Sequence, residues 1–432
     1  MTDVDYDRLR VLFPDHHGIA RGKYVPAKFA GHRTHHCVSL FNLDFDRTMI
    51  DAPGGMLLEG SPDVDVSFDN ADIRASWEDD RTGIVVGDLT YRDAPLAIAP
   101  RTILRNAIDA WSAHGVKPMV GIELEAYILQ PDGRGGWTEW DTPRAFVYGT
   151  GNAVDPTGLM DDIMWTAERV GLPLESLNSE YDTPQFELTL AYGDALRHVD
   201  DIFLFKVMCQ EMAAKRGLRL TFLGKPFNGK GGSGLHVNLS MQNKRGKNAF
   251  LDAKGPSGLS LLAQQSIAGL LAHHEAMAAF CAPTVNAYKR LRPAMMSGYW
   301  ANWGVDHRHC TVRIPADNNE GKRIEHRMSD GAANPYLATA AVLNAARLGV
   351  EASLTLPPQE RLDGIESAGT TTSHVPDNLG SSMDALSADE AFSAAMGGAP
   401  VVDYWTAIKR SEHDKFMAAV TDWELNHYLG FL

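Results

Sequence analysis

The sequence predicts an α+β protein: a small β-rich unit, residues 1–97, followed by a large unit, residues 98–432, with an antiparallel sheet backed by helices. Strand-like stretches with one apolar and one polar face recur along the chain, and helix-like stretches separate them. Such alternation often indicates a doubly wound parallel sheet. Strands whose polar faces share one cavity, however, fit an antiparallel sheet with helices behind it.

The N-terminal unit is predicted from short strand-like stretches separated by turn-forming residues. Residues 18–26 and 82–91 have strand-like composition, and residues 51–65 are loop-like. Pro100 then begins a helix that Gly115 ends. Its apolar residues form one stripe: Ile103, Leu104, Ala107, Ile108 and Trp111.

Beyond that helix, longer periodic stretches predict the helices that separate the strands of the large unit. These cover residues 158–170, 194–216, 258–280, 333–350 and 404–420. Residues 353–388 are polar and rich in Pro, Ser and Thr, so they are predicted to run over the surface.

Charge and cysteine content limit the classes of partner. The 432 residues include 40 basic and 55 acidic side chains, a net charge of −15, which argues against nucleic acid or an anionic membrane as a partner. Four cysteines without CxxC spacing indicate reduced thiols, and the N-terminal residues are too acidic for a signal peptide. We therefore expect a cytoplasmic enzyme with small-molecule partners.

Six side chains that can bind metal lie in stretches interpreted as strands: Glu123, Glu125, Glu180, Glu187, His236 and Glu325. Strand periodicity places Glu123 and Glu125 on one face. Carboxylates suit Mg²⁺ or Mn²⁺, and five of them beside one imidazole are tolerable only around divalent cations. Five glutamates therefore suggest more than one metal.

Basic residues near these strands suggest phosphoryl transfer. They are Lys289, Arg290, Arg308, Arg313, Arg323 and Arg327. Arginine forks and metal ions share the charge on phosphate oxygens in such sites, so the first hypothesis is nucleotide-dependent group transfer. Any single motif could instead be a solvated strand face with cross-strand ion pairs. Recurrence in four stretches favours the metal site.

Several segments resemble segments of the glutamine synthetase family, in the same order along nearly the whole chain. GIELEAYIL, SEYDTPQFE and GGSGLHVNLS are similar to its first metal-binding strand, its paired-glutamate segment and its glycine-rich segment with the metal histidine. PTVNAYKRLRP, WGVDHRHCTVRIP and KRIEHRMSDGAANPYL resemble its substrate-arginine, phosphate-arginine and last metal-glutamate segments. FPDHHGIARGKYVP resembles its N-terminal opening.

The resemblance implies an N-terminal β-grasp domain, a catalytic domain with a curved antiparallel sheet, and a ring-shaped homo-oligomer such as a dodecamer. It implies ATP and Mg²⁺ or Mn²⁺ as cofactors. One metal would be held by Glu125, Glu180 and Glu187, and the metal that bridges ATP phosphates by Glu123, His236 and Glu325.

The resemblance also implies roles for the remaining site residues. Gly232 and Arg290 would hold the amino acid substrate, and Arg308 and Arg327 would contact the transferred phosphoryl group. The nucleotide would be contacted by Arg313, Arg323 and Ser240, together with Asn238, which replaces a frequent second histidine. Arg290, Arg308 and Arg327 are the predicted catalytic residues.

One departure from the family concerns the second substrate. In a gapless register between Arg290 and Arg308, Met296 occupies the position of a glutamate that helps to bind and deprotonate ammonium. A thioether is uncharged and adaptable, so the pocket should favour an alkyl group. Nearby aromatic residues suit a larger amine, although Trp300 and Trp303 could equally be core residues. The chain thus resembles the branch that makes γ-glutamylamides.

A second departure concerns the aspartate that the family supplies from a neighbouring subunit as a base. Asp44, Asp46 and Asp51 are all available, and the sequence does not choose among them.

The overall interpretation is an ATP-dependent ligase that joins glutamate to an alkylamine or polyamine through γ-glutamyl phosphate. The alternatives are glutamine synthesis from ammonia, a guanidino-type phosphotransferase and an inactive structural homologue.

Overall fold

Eight short strands form two four-stranded sheets at the N-terminal end of the chain. The computed structural model describes residues 5–142, 144–317, 319–363 and 367–432. The strands are β1 Arg8–Pro14, β2 Ala20–Pro26, β3 Thr34–Cys37, β4 Asp63–Ser67, β5 Arg74–Ala75, β6 Thr82–Val86, β7 Asp88–Tyr91 and β8 Ala94–Pro95. The sheet orders are β2-β1-β6-β5 and β3-β4-β7-β8. The strands expected within residues 18–26 and 82–91 are present, and the loop expected over residues 51–65 ends where β4 begins.

A ten-stranded sheet forms the centre of the rest of the chain. Its strands are β9 Val116–Pro131, β10 Trp137–Glu139, β11 Leu174–Ser179, β12 Gln185–Leu190, β13 Gly193–Asp194, β14 Arg219–Thr221, β15 Leu235–Asn243, β16 Trp303–Val305, β17 Val312–Ile314 and β18 Ile324–His326. The main order is β11-β12-β9-β15-β18-β17-β16, and β10, β13 and β14 also pair with β9. Neighbouring strands are antiparallel except for β16 and β17. The predicted α+β class is confirmed, whereas the division at residues 97 and 98 stays a prediction.

Helices account for most of the remaining regular structure. They are α1 Pro100–Ser112, α2 Leu159–Arg169, α3 Ala195–Lys215, α4 Leu261–Ala272, α5 His274–Cys281, α6 Ala287–Arg290, α7 Pro335–Glu351, α8 Leu379–Ala388, α9 Glu390–Ala395, α10 Ala399–Ala418 and α11 Asp422–Tyr428. The helix expected over residues 258–280 is divided into α4 and α5, because His273 leaves the helical conformation. In the described parts of the chain, no helix is both long and apolar enough to span a membrane.

The prediction that residues 353–388 run over the surface is wrong for the C-terminal end of this segment. There the chain forms α8, whose Leu379, Met383 and Leu386 are fully buried. Spacings of four and three residues bring these apolar side chains onto one helix face. The high serine content of the segment concealed this pattern in the sequence.

Helix α10 joins the two parts of the chain. Its Tyr404 and Ile408 are buried in the core of the N-terminal sheets, beside Phe41 and Val64. The Tyr404 hydroxyl donates a hydrogen bond to the Phe41 carbonyl at 2.6 Å. Trp405, on the same helix, packs in the larger core and donates to the Ala279 carbonyl at 3.0 Å. The N-terminal sheets are therefore anchored to the larger part of the same chain.

Glycines allow α4 and α7 to pack closely. A Cβ atom at Gly349 would lie 2.2 Å from the Gln265 carbonyl oxygen, and one at Gly269 would lie 2.2 Å from the Ala345 carbonyl oxygen. We expect Gly349→Ala to lower the free energy of unfolding by about 1 to 3 kcal/mol, because the helices must separate. Urea unfolding measures this change. Gly31→Ala is the control, since its Cβ would meet no atom within 4 Å; equal effects of the two substitutions would contradict the packing argument.

Candidate active site

Two groups of three potential metal ligands adjoin on the polar face of the large sheet. Glu123, His236 and Glu325 form group one, and Glu125, Glu180 and Glu187 form group two. Within each group, one ligand atom from every residue lies within 4.8 Å of the others. The groups meet where Nε2 of His236 lies 3.9 Å from Oε1 of Glu125. The structure thus brings together all six predicted ligands, in the two sets that the family resemblance implies.

Strand register explains how these side chains meet. Glu123 of β9 lies opposite His236 of β15, and Glu125 of β9 lies opposite Glu187 of β12. Residues two apart on β9 point to the same face, so β9 supplies one carboxylate to each group. The expectation that Glu180 lies within a strand is wrong, because β11 ends at Ser179. Glu180 begins the turn to β12, and its N–H donates to the Gln185 carbonyl at 2.8 Å.

Crowding of carboxylates changes their protonation. Burial, assisted by the charges of Glu123, Glu180 and Glu125, raises the pKa of Glu187 to about 8. Burial also raises the pKa of Glu180, and the charge of Glu125 adds to this effect. A divalent cation would remove the repulsion among these groups. Their oxygen-rich donor set therefore fits a hard cation such as Mg²⁺ or Mn²⁺.

Group one is held by hydrogen bonds. Burial alone would raise the pKa of Glu123, but hydrogen bonds from His236 and Asn238 lower it to about 2. The atoms concerned are His236 Nδ1, 3.2 Å from Glu123 Oε2, and Asn238 Nδ2, 3.0 Å from Glu123 Oε1. Asn238 accepts in turn from Arg323 Nε at 3.0 Å. These contacts keep Glu123 ionised and oriented.

Arginines surround Glu325, which is 1% exposed at its side chain. Arg313 Nη1 lies 2.7 Å from Glu325 Oε2, and Arg327 pairs with Oε1. Nε of both Arg313 and Arg327 is buried without a hydrogen-bond partner among the described residues. Unused donors beside a metal-ligand group are suited to phosphate oxygens. Two predicted phosphate- and nucleotide-binding arginines therefore adjoin group one.

The glycine-rich segment meets the predicted substrate arginine. A Cβ atom at Gly232 would lie 2.6 Å from Arg290 Cγ, so a side chain there would displace the arginine. Arg290 is buried and donates to the carbonyl oxygens of Met328 at 2.9 Å and Arg327 at 3.3 Å. Burial lowers its pKa. The Gly234 N–H donates to Glu125 Oε2 at 2.7 Å, which connects this segment to group two.

A cavity of about 230 Å³ adjoins group one. Four predicted site residues line it: Glu123, Asn238, Ser240 and Arg323. The cavity is also lined by three residues that the sequence did not predict as site residues: Glu175, Tyr192 and Glu320. Thr189 is a further lining residue, and it shares a strand face with Glu187 through the alternation of β12. Neither composition nor a motif distinguishes the other three.

Arg308 and Met296 lie on exposed turns. Arg308 lies between β16 and β17, two residues from Asp306, which pairs with Arg313 at 2.7 Å. Met296 is 45% exposed and has a φ of 50°. A Cβ atom at Gly298, two residues later, would lie 2.9 Å from the Met328 nitrogen, so this loop packs against the segment that follows β18.

Aromatic residues beside that loop are buried or half-buried. Trp303 is 5% exposed and belongs to the core, so the alternative interpretation of this residue is correct. Tyr299 stacks on His374 with ring centroids 5.0 Å apart, and Trp300 meets the same ring edge-on. Trp300 Nε1 is buried without a hydrogen-bond partner among the described residues.

The three candidate bases near the N-terminus differ in their contacts. Asp44 and Asp46 both pair with Lys415 on α10, the latter at 3.0 Å. Asp44 Oδ1 also accepts from the backbone N–H of Asp46 and Thr48. The choice among these two residues and Asp51 stays open, because the family places this aspartate in a neighbouring subunit.

Comparison with known proteins assigns the chain to a family. The glutamine synthetase catalytic domain profile matches residues 97–428. The chain belongs to the glutamine synthetase family. Its members are ATP-dependent ligases that act with divalent metals, so the expected enzyme class, an ATP-dependent ligase, is confirmed.

Relatives in this glutamine synthetase family differ in the amine named for them. The chain is 31% identical to γ-glutamylethanolamide synthetase GlnA4 of Streptomyces coelicolor, covering 98% of this chain and 92% of that protein. It is 34% identical to a glutamine synthetase of Clostridium saccharobutylicum, covering 77% and 75% respectively. The solved structure of apo GmaS matches with a TM-score of 0.87 and 28% identity over 99% of this chain and all of that one. A GmaS complex with ADP matches with a TM-score of 0.85 and 28% identity, covering 98% and 97%.

Proposed function

We propose that this enzyme joins the γ-carboxylate of glutamate to an alkylamine or polyamine, with ATP converted to ADP and phosphate. The feature that carries the proposal is Met296, which a gapless register between Arg290 and Arg308 places where the family resemblance implies a glutamate for ammonium. A thioether offers no charge to ammonium but an adaptable apolar surface to an alkyl chain. Its loop packs against the segment that follows β18, the strand that carries Glu325.

The relatives support the same branch of the family. A γ-glutamylethanolamide synthetase aligns with almost the whole chain, and both GmaS structures superimpose over nearly its full length. Ammonia is the second candidate substrate, because a glutamine synthetase aligns at 34% identity. A guanidino-type phosphotransferase and an inactive homologue have no comparable support.

The site residues have distinct parts in the proposed reaction. Two divalent cations, held by groups one and two, would neutralise charge on the phosphate and carboxylate oxygens. Arg290 would orient the amino acid beside Gly232. The missing side chain of Gly232 leaves space for the arginine. Asn238, Ser240, Arg313 and Arg323 would bind the nucleotide. Arg327 and Arg308 would stabilise the moving phosphoryl group.

The chemistry has two steps. An oxygen of the glutamate γ-carboxylate bonds to the γ-phosphorus of ATP as the bond to ADP breaks, which gives γ-glutamyl phosphate. The amine nitrogen then bonds to the γ-carbonyl carbon, loses a proton and displaces phosphate. Exclusion of water protects the acyl phosphate between the steps. The proton acceptor is expected to be one of Asp44, Asp46 and Asp51 from a neighbouring subunit.

Met296→Glu is expected to change amine preference toward ammonia by about tenfold or more. A carboxylate attracts ammonium, whereas the thioether stabilises each buried methylene by roughly 0.8 kcal/mol, and about 1.4 kcal/mol corresponds to a factor of ten. The measurement is kcat/KM for ammonia, alkylamines and polyamines at equal free-base concentration, followed by phosphate release. Met296→Gln is the control, because it has similar length without the charge. A wild-type preference for ammonia, or an unchanged preference in Met296→Glu, would support the second candidate.

We also infer a ring-shaped homo-oligomer, such as a dodecamer, in which a β-grasp domain of residues 1–97 completes a neighbour's catalytic domain, residues 98–432. Such heterologous contacts close into rings. Light scattering should therefore show a large closed assembly, and specific activity should fall when the protein is diluted until it dissociates. A fully active monomer would contradict this inference. Mixing Glu325→Gln subunits with subunits that lack the essential N-terminal aspartate should restore partial activity.

A further inference from the structure

A second cavity, of about 630 Å³, lies between the N-terminal strands and the catalytic part of the same chain. Its walls come from β1, the loop after β1, α3, the end of β14 and α10. Apolar side chains cover much of this surface, among them Ile19, Phe45, Phe203, Phe222 and Val285. A volume of this size suits a small organic ligand, for which the usual range is about 300 to 1,000 Å³. It shares no lining residue with the cavity beside group one.

Charged residues of this cavity are paired, with one exception. Arg10 pairs with Glu211 at 2.6 Å, and Glu412 pairs with Lys409 at 2.9 Å. Lys206 has no carboxylate within 4.0 Å among the residues that the structure describes, and its Nζ donates to the Gly331 carbonyl at 2.9 Å. Among the described residues, Lys206 is therefore the cation of this cavity that forms no direct ion pair, and the charge of the buried Asp330 carboxylate acts on it from a longer distance.

The surroundings of Lys206 make an anionic ligand favourable. Nζ lies 4.7 Å from the centre of the Phe222 ring, and burial lowers the pKa of the ammonium to about 8. An ammonium group has three N–H donors, and one of them is hydrogen-bonded to the Gly331 carbonyl. Charge-assisted hydrogen bonds to a carboxylate are about twice as strong as neutral ones. A ligand carboxylate would supply a counter-charge in direct contact with Lys206, in addition to the more distant charge of Asp330.

We propose that this cavity binds a small carboxylate with an apolar body, whose carboxylate pairs with Lys206 and whose body packs against Phe45, Phe203 and Phe222. Glutamate itself fits poorly, because its second carboxylate would face the apolar wall. A monocarboxylate with an aromatic or branched aliphatic group matches both Lys206 and the aromatic lining.

The position of Lys206 connects the cavity to the glycine-rich segment. Gly331, which accepts from Lys206, donates its own N–H to the Ser233 carbonyl at 2.9 Å. Ser233 lies between Gly232, which contacts Arg290, and Gly234, which donates to Glu125. A carboxylate that draws Lys206 from Gly331 would alter this support. Occupancy should therefore change the KM for glutamate, a consequence that rests on the proposed function.

The test compares 3-phenylpropanoate with its uncharged amide, by isothermal titration of the full-length protein with glutamate saturating its own site. We expect the acid to bind on the order of tenfold more tightly than the amide. Lys206→Met should remove this difference, because it keeps the apolar stem without the charge. Lys28→Met is the matched control, since the Lys28 ammonium also lies over an aromatic ring, 5.1 Å from Phe29, but outside the cavity.

A second variant keeps the test decisive if Lys206→Met is poorly folded. Gln210 is exposed at the cavity on α3, so Gln210→Trp should obstruct the cavity without disturbing the core and should weaken binding of both probes. Equal binding of acid and amide, or no binding of either to the assembled enzyme, would overturn the proposal. Acid-specific binding with an unchanged KM for glutamate would contradict the connection through Gly331. Because titration needs no turnover, its result is independent of the proposed reaction.

Discussion

Glu325→Gln should remove ATP-dependent ligation while the protein stays folded. Glu325 is buried between Arg313 and Arg327, and it belongs to the same ligand group as Glu123 and His236. Glutamine keeps the volume and one acceptor oxygen, but it lacks the negative charge that a divalent cation requires. Loss of a residue that only orients a ligand costs about 10- to 100-fold, so loss of a ligand should cost at least about a hundredfold in kcat/KM. Phosphate release at varied Mg²⁺ or Mn²⁺ measures the effect.

The choice of glutamine follows from the ion pairs around Glu325. Alanine would leave Arg327 without its carboxylate and Arg313 with Asp306 alone, and breaking a buried pair costs about 3 to 5 kcal/mol. Loss of activity in Glu325→Ala could therefore reflect unfolding. Glu351→Gln is the control, since Glu351 pairs with Arg347 at 2.5 Å on α7, away from both ligand groups. Near-normal turnover of Glu325→Gln at low Mg²⁺ would show that group one holds no catalytic metal.

The spacing of apolar residues in the sequence predicted individual strands and helices such as β9 and α1. Alternation around Glu123 and Glu125 indicated β9 and the face that carries both carboxylates, since side-chain direction has a period of two. The apolar stripe of α1 was equally clear, and its Trp111 is fully buried. Two other features were predicted wrongly because of the residues next to them in the sequence. Glu180 lies in a turn directly after a strand, and α8 has its three large apolar side chains among serines and alanines.

Proximity of the six ligands could not be obtained from periodicity. Glu123 and His236 are 113 residues apart, and they meet because β9 pairs with β15 in one register. A shift of one residue would turn every ligand of β15 to the opposite face. The family resemblance supplied the grouping that strand patterns leave undetermined. The lining residues Glu175, Tyr192 and Glu320 belong to no motif, so only the folded chain associates them with the cavity.

Crowding in group two should make the metal-free protein less stable as pH rises. The pKa of Glu187 is raised from about 4.5 to about 8 by burial and by its neighbouring carboxylates. Between these values the folded state binds more protons than the unfolded state, so the free energy of unfolding falls with increasing pH. The cost is on the order of several kcal/mol, because one pKa unit corresponds to about 1.4 kcal/mol. Mg²⁺ or Mn²⁺ should restore stability, since a cation favours the ionised form.

Thermal unfolding of metal-free protein between pH 5 and pH 9 measures this effect, with and without added Mg²⁺. Glu187→Gln should flatten the fall in melting temperature, because an amide keeps the volume and cannot ionise. Glu390→Gln is the control, as Glu390 lies on α9, far along the chain from both groups. Calorimetry should also show protons released when metal binds to the wild type near pH 7, and fewer in Glu187→Gln. An unchanged melting profile in Glu187→Gln would contradict a cation site in group two, because the repulsion among these carboxylates is the reason for a cation there.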